Sequence, residues 1–166
     1  AGERSNHWVV AILFILAGLS GLALFHPALF WLSNLFGGGV WTRILHPFLG
    51  LGMFLFFLWL VMRFAGHNRL DAGDRQWLAQ WRDVVANREE NLSPVGRYNA
   101  GQKLLFWVLL LCMLVLLATG IVMWRQYFSH LFGIDLIRLA SLLHAAAAWG
   151  LIICIIVHVY AGIWVK

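Results

Sequence analysis

The sequence predicts an all-α fold, a four-helix transmembrane bundle, and three observations carry that prediction. Four apolar runs, at about residues 7–25, 42–62, 104–123 and 139–165, hold no charged residue except Arg43. Each approaches or exceeds the roughly 20 residues that cross a hydrocarbon core about 30 Å thick. Charged residues make up 11% of the chain and mean hydropathy is +0.81, whereas soluble domains are about 25% charged. Seven of the twelve Lys and Arg residues fall within 63–103. The chain therefore reads as a single membrane domain, 1–166, with one polar loop at 63–103.

The first span follows Gly2-Glu3-Arg4-Ser5-Asn6. Ser5 or Asn6 can cap its start, and His26-Pro27 closes it, because the residue before a proline is pushed out of the helical region. No basic segment precedes this run, so it reads as a span and not as a cleaved signal peptide. Residues 27–41 predict a short aromatic loop at the membrane interface. Gly37 to Gly39 break it, and no lysine follows them as in a phosphate loop. The second span carries His46-Pro47 in its first turns, where helical N–H groups have few partners to lose. Gly50 and Gly52 thin that helix for a flat ligand or a neighbouring helix.

In the polar loop, Trp77, Leu78, Trp81, Val84 and Val85 recur at helical spacing. They predict a short amphipathic helix, lying on the membrane surface or packed on the bundle as a small cap. The third span ends near Thr119-Gly120, read as packing residues, and Trp124-Arg125-Gln126-Tyr127 marks the interface. A second short loop leads into the fourth span.

His144 and His158 both lie in that fourth run. Fourteen residues is about four helical turns, so the two rings point within about 40° of each other and stand about 21 Å apart along the axis. An imidazole in a membrane interior is costly unless it is bound to something. Two on one face, at opposite depths, suggest two haems stacked across the bilayer, each needing a second imidazole. An even number of spans puts both termini on one side with the polar loop. That side carries nine Lys and Arg residues, against Arg43, Arg125 and Arg138 on the other, and the positive-inside rule makes it cytoplasmic. His7 then begins the first span on the inner level and His46 begins the second on the outer level. The four fall into pairs, His46 with His144 outside and His7 with His158 inside. His26, His67 and His130 lie at or beyond span ends and read as surface histidines.

Cys112 and Cys154 each sit in an apolar run, with no CxxC. That argues against a disulfide framework, a cysteine-ligated cluster and a c-type haem attachment, and both read as packing residues. No Asp, Glu, Lys or Arg lies in mid-span, which disfavours an ion transporter.

These residues resemble the cytochrome b (gamma) subunit of respiratory membrane-bound formate dehydrogenases, over essentially the whole chain. The resemblance rests on Glu3-Arg4-Ser5-Asn6-His7-Trp8, Arg43-Ile44-Leu45-His46-Pro47-Phe48, Trp124-Arg125-Gln126-Tyr127-Phe128, Leu142-Leu143-His144, His158-Val159-Tyr160 and Trp164-Val165-Lys166. Its most specific part is Gly96-Arg97-Tyr98-Asn99-Ala100-Gly101-Gln102-Lys103. The histidine pattern alone is shared with hydrogenase and other di-haem cytochromes b. The family often has proline where this chain has Gln126, and usually a basic tail after the last helix.

The resemblance implies two haem b groups held by the four histidines in the same pairing. It implies menaquinone as substrate near Asn99, Gly101 and Gln102, beside the inner haem; without it, Tyr98-Asn99 reads as a helix cap. It further implies an iron–sulfur beta subunit and a molybdenum- or tungsten-containing catalytic alpha subunit as partners. Formate is then oxidised on the alpha subunit, and no catalytic residue for it lies on this chain. The implied place is the bacterial inner membrane, with both termini cytoplasmic. Electrons pass inward from the periplasmic side. Arg43, Lys103, Arg125 and Arg138 are candidates for haem propionates or simple interfacial anchors. Two other classes remain open: the cytochrome b subunit of a hydrogenase or other periplasmic oxidoreductase, and a non-redox membrane anchor.

Overall fold

The computed structural model of the chain describes residues 2–85 and 96–164. Among the described residues, four helices are long and apolar enough to cross a membrane. They are α1 (Gly2–Phe25), α2 (Gly39–Phe64), α5 (Ala100–Met123) and α6 (Ile134–Trp164). Two short helices, α3 (Ala72–Ala79) and α4 (Trp81–Val85), lie between α2 and α5. Every long helix begins upstream of its apolar run, because hydropathy marks the part in hydrocarbon while the helix projects beyond it.

Helix α1 starts at Gly2, so Ser5 and Asn6 lie inside it instead of capping it. Asn6 Nδ2 donates to the Phe56 carbonyl at 2.9 Å, and Glu3 pairs with Arg63 at 2.9 Å. These contacts fasten the start of α1 to the end of α2. At the other end His26 is extended, and its Nδ1 accepts from the Ala28 N–H at 3.2 Å. This opens a 3-10 helix, Pro27–Phe36, where the sequence predicted an irregular loop. Gly37 (φ 86°) and Gly38 (φ 100°) end it in the region that L side chains avoid. Pro47 lies inside α2 and not at its start; it forgoes the hydrogen bond to the Arg43 carbonyl.

The helices form two hairpins. Helix α1 packs along α2, α5 packs along α6, and the hairpins meet mainly where α2 touches α5. The shared core takes Ala17 from α1, Met53 and Phe54 from α2, Met113 from α5 and Leu151 from α6. The outward faces expose Ile12, Leu55, Leu111 and Ile156. Such faces suit hydrocarbon, where helices satisfy their own backbone.

The polar loop is a cap on the bundle and not a free surface helix, over the part described. Asp71 N-caps α3 in a capping box with Asp74. Trp77 is buried against the first turn of α5, beside Gly101. Lys103 Nζ, almost enclosed, reaches Asp71 at 3.0 Å and Asp74 at 2.9 Å. Trp107 Nε1 donates to the Asn68 carbonyl at 2.9 Å. The expected single amphipathic helix is broken at Gln80 into α3 and α4. Arg88, counted in the polar loop, lies outside the described residues.

Candidate cofactor site

The four histidines meet as two pairs. His46 on α2 faces His144 on α6 with ring centres 6.2 Å apart, and His7 on α1 faces His158 on α6 at 6.1 Å. A metal–imidazole bond of about 2 Å, plus about 1.1 Å from ring nitrogen to ring centre, puts two imidazoles on opposite sides of one metal about 6.2 Å apart. Aromatic pairs also stand about 4.5–7 Å apart, so the surroundings must separate the two readings.

Around the His46–His144 pair the surroundings favour a ligand. A cavity of about 1010 Å³ opens between the hairpins and is lined by both histidines. Its size is at the upper end of small-molecule and cofactor sites. Gly18 and Gly50 line it too, and a Cβ at either would meet nothing within 4 Å. Gly21 does more: a Cβ there would come 3.1 Å from His46 Cε1, so its absence lets the edge of the ring approach α1. Arg43 and Arg125 also line the cavity, as groups that pair with carboxylates. Among the described residues, no three His, Cys, Asp or Glu side chains converge as a bare metal ion would need. Two facing imidazoles beside a wide apolar space therefore fit a planar metal-bearing ring. His7 and His158 are exposed on the chain alone and do not line this cavity.

Two hydroxyls stand behind the outer pair. Ser20 Oγ lies 2.9 Å from His46 Nδ1, and Thr119 Oγ1 lies 2.8 Å from His144 Nδ1. Each hydroxyl also reaches a carbonyl of its own helix, Ser20 to Ala17 at 3.0 Å and Thr119 to Val115 at 2.6 Å. Thr119 is thus more than the packing residue its sequence suggests. A signal was present: Ser20-Gly21 precedes His46 by about the same distance as Thr119-Gly120 precedes His144, 26 and 25 residues. The two hairpins repeat one device.

The other candidates separate clearly. Asn99 and Gln102 form a capping box at the start of α5. Asn99 Oδ1 accepts from Gln102 N–H at 2.9 Å, and Gln102 Oε1 accepts from Asn99 N–H at 3.1 Å. Neither amide NH₂ takes part in the cap. The face of Gly101 that a Cβ would occupy is filled by Trp77, 3.3 Å away. Lys103 is held by two carboxylates and is not placed for a propionate, and the hydrogen bond it donates keeps the Asp71 carboxyl below its ordinary range. Arg138 lies 4.0 Å from Asp135 in the open. His26, His67 and His130 are exposed. Cys112 and Cys154 are free thiols, and Gly150 packs against Cys112.

The chain is similar to known membrane cytochromes. A family model described as prokaryotic cytochrome b561 matches residues 1–166. The chain is 42% identical, over 99% of its own length and 76% of the relative's, to the nitrate-inducible formate dehydrogenase cytochrome b556(Fdn) subunit of Escherichia coli K12. It is 43% identical to the formate dehydrogenase cytochrome b556(fdo) subunit of the same organism, over 100% of this chain and 78% of that one. The formate dehydrogenase cytochrome b556 subunit of Haemophilus influenzae is 42% identical over 98% of this chain and 68% of its own. Helices, paired histidines and full-length similarity lead to one conclusion: this chain is an integral membrane protein of the prokaryotic cytochrome b561 family, similar throughout to the cytochrome b556 subunits of formate dehydrogenases.

Proposed function

We propose that the chain is the membrane cytochrome b subunit of a formate dehydrogenase complex, carrying electrons from an outer iron–sulfur subunit to menaquinone near the cytoplasmic side. The observation that carries this reading is the matching of two histidine pairs, at 6.2 and 6.1 Å, on the two levels of one bundle. Bound haem b supplies reversible one-electron chemistry at each level. His46 and His144 would hold it on the outer level, and His7 and His158 on the inner level. Arg43 and Arg125 neutralise propionates at the outer mouth of the cavity. The complex sits in the bacterial inner membrane with both termini cytoplasmic, as the nine-to-three distribution of Lys and Arg favours.

Asn99 and Gln102 bind the quinone. Their amide oxygens hold the helix cap, and their NH₂ groups are donors for a quinone carbonyl. Antiparallel packing supports this position. Gly120 lies against His144 and Gly150 against Cys112; continuing that register puts His158 level with residues about 104–106, one turn from the cap. Trp77 and the Lys103 ion pairs hold the cap's surroundings rigid. Formate is oxidised on the molybdenum- or tungsten-containing alpha subunit.

The test is His158→Ala in the assembled complex. It is expected to remove one of two b-type absorbances and to abolish menaquinone reduction, while formate oxidation by an artificial dye continues. Full quinone turnover in this variant would sink the reading. Co-purification with a hydrogenase in place of a formate-oxidising subunit would keep the haems and change the donor.

A further inference from the structure

The geometry points to Ser20 and Thr119 as positioning residues that fix the iron-binding tautomer of His46 and His144 and strengthen both as ligands. The inference rests on the proposed haem at the outer level. It begins with the inventory of a hydroxyl: one proton to give and two lone pairs to accept with. Ser20 Oγ faces the Ala17 carbonyl at 3.0 Å and Thr119 Oγ1 faces the Val115 carbonyl at 2.6 Å. A carbonyl can only accept, so each hydroxyl proton goes there. The oxygen is left as an acceptor toward the imidazole Nδ1, at 2.9 Å from His46 and 2.8 Å from His144. Each ring must then carry its proton on Nδ1, which leaves Nε2 as the lone-pair nitrogen for the metal. The arrangement is the same chain twice: backbone carbonyl, hydroxyl, imidazole, cavity.

Three further features make this a built device. Ser20 is fully buried and Thr119 nearly so, so no water competes for their oxygens. Both are followed by a glycine that lies against the same histidine, Gly21 by His46 and Gly120 by His144. The small residue lets the ring approach while the hydroxyl sets its rotation. The device is also confined to one level: among the described residues, no hydrogen-bond partner stands at a ring nitrogen of His7 or His158.

A hydrogen bond accepted from the far nitrogen raises the basicity of a ligating imidazole. A more basic ligand favours the ferric over the ferrous form. Ser20 and Thr119 therefore hold the outer haem at a lower midpoint potential than it would otherwise have, and they do not act on the inner one.

The test is a potentiometric titration of the b absorbance in the membrane-bound complex, on wild type, Ser20→Ala, Thr119→Val and Thr119→Ser. The first two remove only the hydroxyl function with little change of shape, and the third keeps it. Outer-shell partners of metal ligands act at the level of about tenfold or more. A tenfold change in the ferric-to-ferrous ratio is about 59 mV for one electron. The expected result is an upward shift of that order in one component, the same one in Ser20→Ala and Thr119→Val, with the other component unmoved and Thr119→Ser at the wild-type value. Loss of one haem in Thr119→Val but not in Thr119→Ser would support the same role through ligand orientation. Unmoved potentials, equal shifts of both components, different components in the two variants, or haem loss in Thr119→Ser as well would each overturn it. A wild-type titration without two b components would instead remove the two-level reading, and this inference with it.

Discussion

Replacing Gly21 with alanine is expected to weaken haem binding at the outer level while making helix α1 itself slightly more stable. A Cβ on Gly21 lies 3.1 Å from His46 Cε1, where ordinary contacts begin at 3.4 Å. The ring must therefore retreat by a few tenths of an ångström. It has little room, since Ser20 holds the same imidazole at 2.9 Å and metal–ligand bonds tolerate only about 0.2 Å. Either the hydrogen bond or the metal bond gives. Disturbing the support of a metal ligand costs about 10–100-fold in affinity, or about 1.4–2.7 kcal/mol. In the opposite direction, glycine to alanine inside a helix is worth about 0.8–1.0 kcal/mol, whether or not haem is bound. The polypeptide should therefore keep its helix content and yield in membranes while one haem becomes substoichiometric. Gly21→Leu, with no space for its side chain, should lose that haem outright. Gly133→Ala, whose Cβ would meet nothing within 4 Å and which does not line the cavity, should keep both. Haem per chain is read from pyridine haemochromes, and the affected component from reduced-minus-oxidised spectra. A Gly21→Leu protein with wild-type haem content and spectrum would refute the placement of a haem against His46.

Gln102→Glu separates the helix cap from the quinone site. A glutamate oxygen can still accept from the Asn99 N–H, as Gln102 Oε1 does at 3.1 Å, but the NH₂ donor is gone. Haem content should stay at wild type and the KM for a menaquinone analogue should rise about tenfold, the scale of one lost hydrogen bond to a bound ligand; an unchanged KM would count against the site. Asp71 has a lowered carboxyl pKa because Lys103 donates to it. Its contribution is thus fully present above the unfolded carboxylate pKa of about 3.9 and is lost as pH falls through the lower folded value, so stability rises with pH in that window. Tryptophan fluorescence, which reports Trp77 and Trp107 in the cap, should show an undocking step on acidification of wild type that is absent in Asp71→Asn. An identical acid profile in both proteins would contradict the clasp.

The spans were legible because hydropathy is a local property, and the levels of the histidines because helical rotation and the count of spans can be read along the chain. Hydropathy is read in windows of about 20 residues, and the shared face of His144 and His158 follows from helical rotation alone. The hydroxyls were less visible, since Ser20 and Thr119 meet their histidines only when the hairpins close, across 26 and 25 residues. The Lys103 clasp spans 32 and 29 residues in the same way. A lysine at a span mouth resembles any interfacial anchor until Asp71 and Asp74 are brought to it. Gly101 shows how one residue supports two readings. Its sequence context resembles a quinone-binding motif, while in the fold its bare face accommodates Trp77. Every long helix extends beyond its apolar run, because helix ends are set by backbone hydrogen bonding and not by hydropathy.

Haem stoichiometry tests the central claim most directly. The purified complex, assayed by pyridine haemochrome against the amount of this chain, should contain two b haems per chain, one for each histidine pair. One haem in wild type would contradict the matching of the two levels, and none would leave the paired imidazoles as aromatic contacts in a membrane anchor.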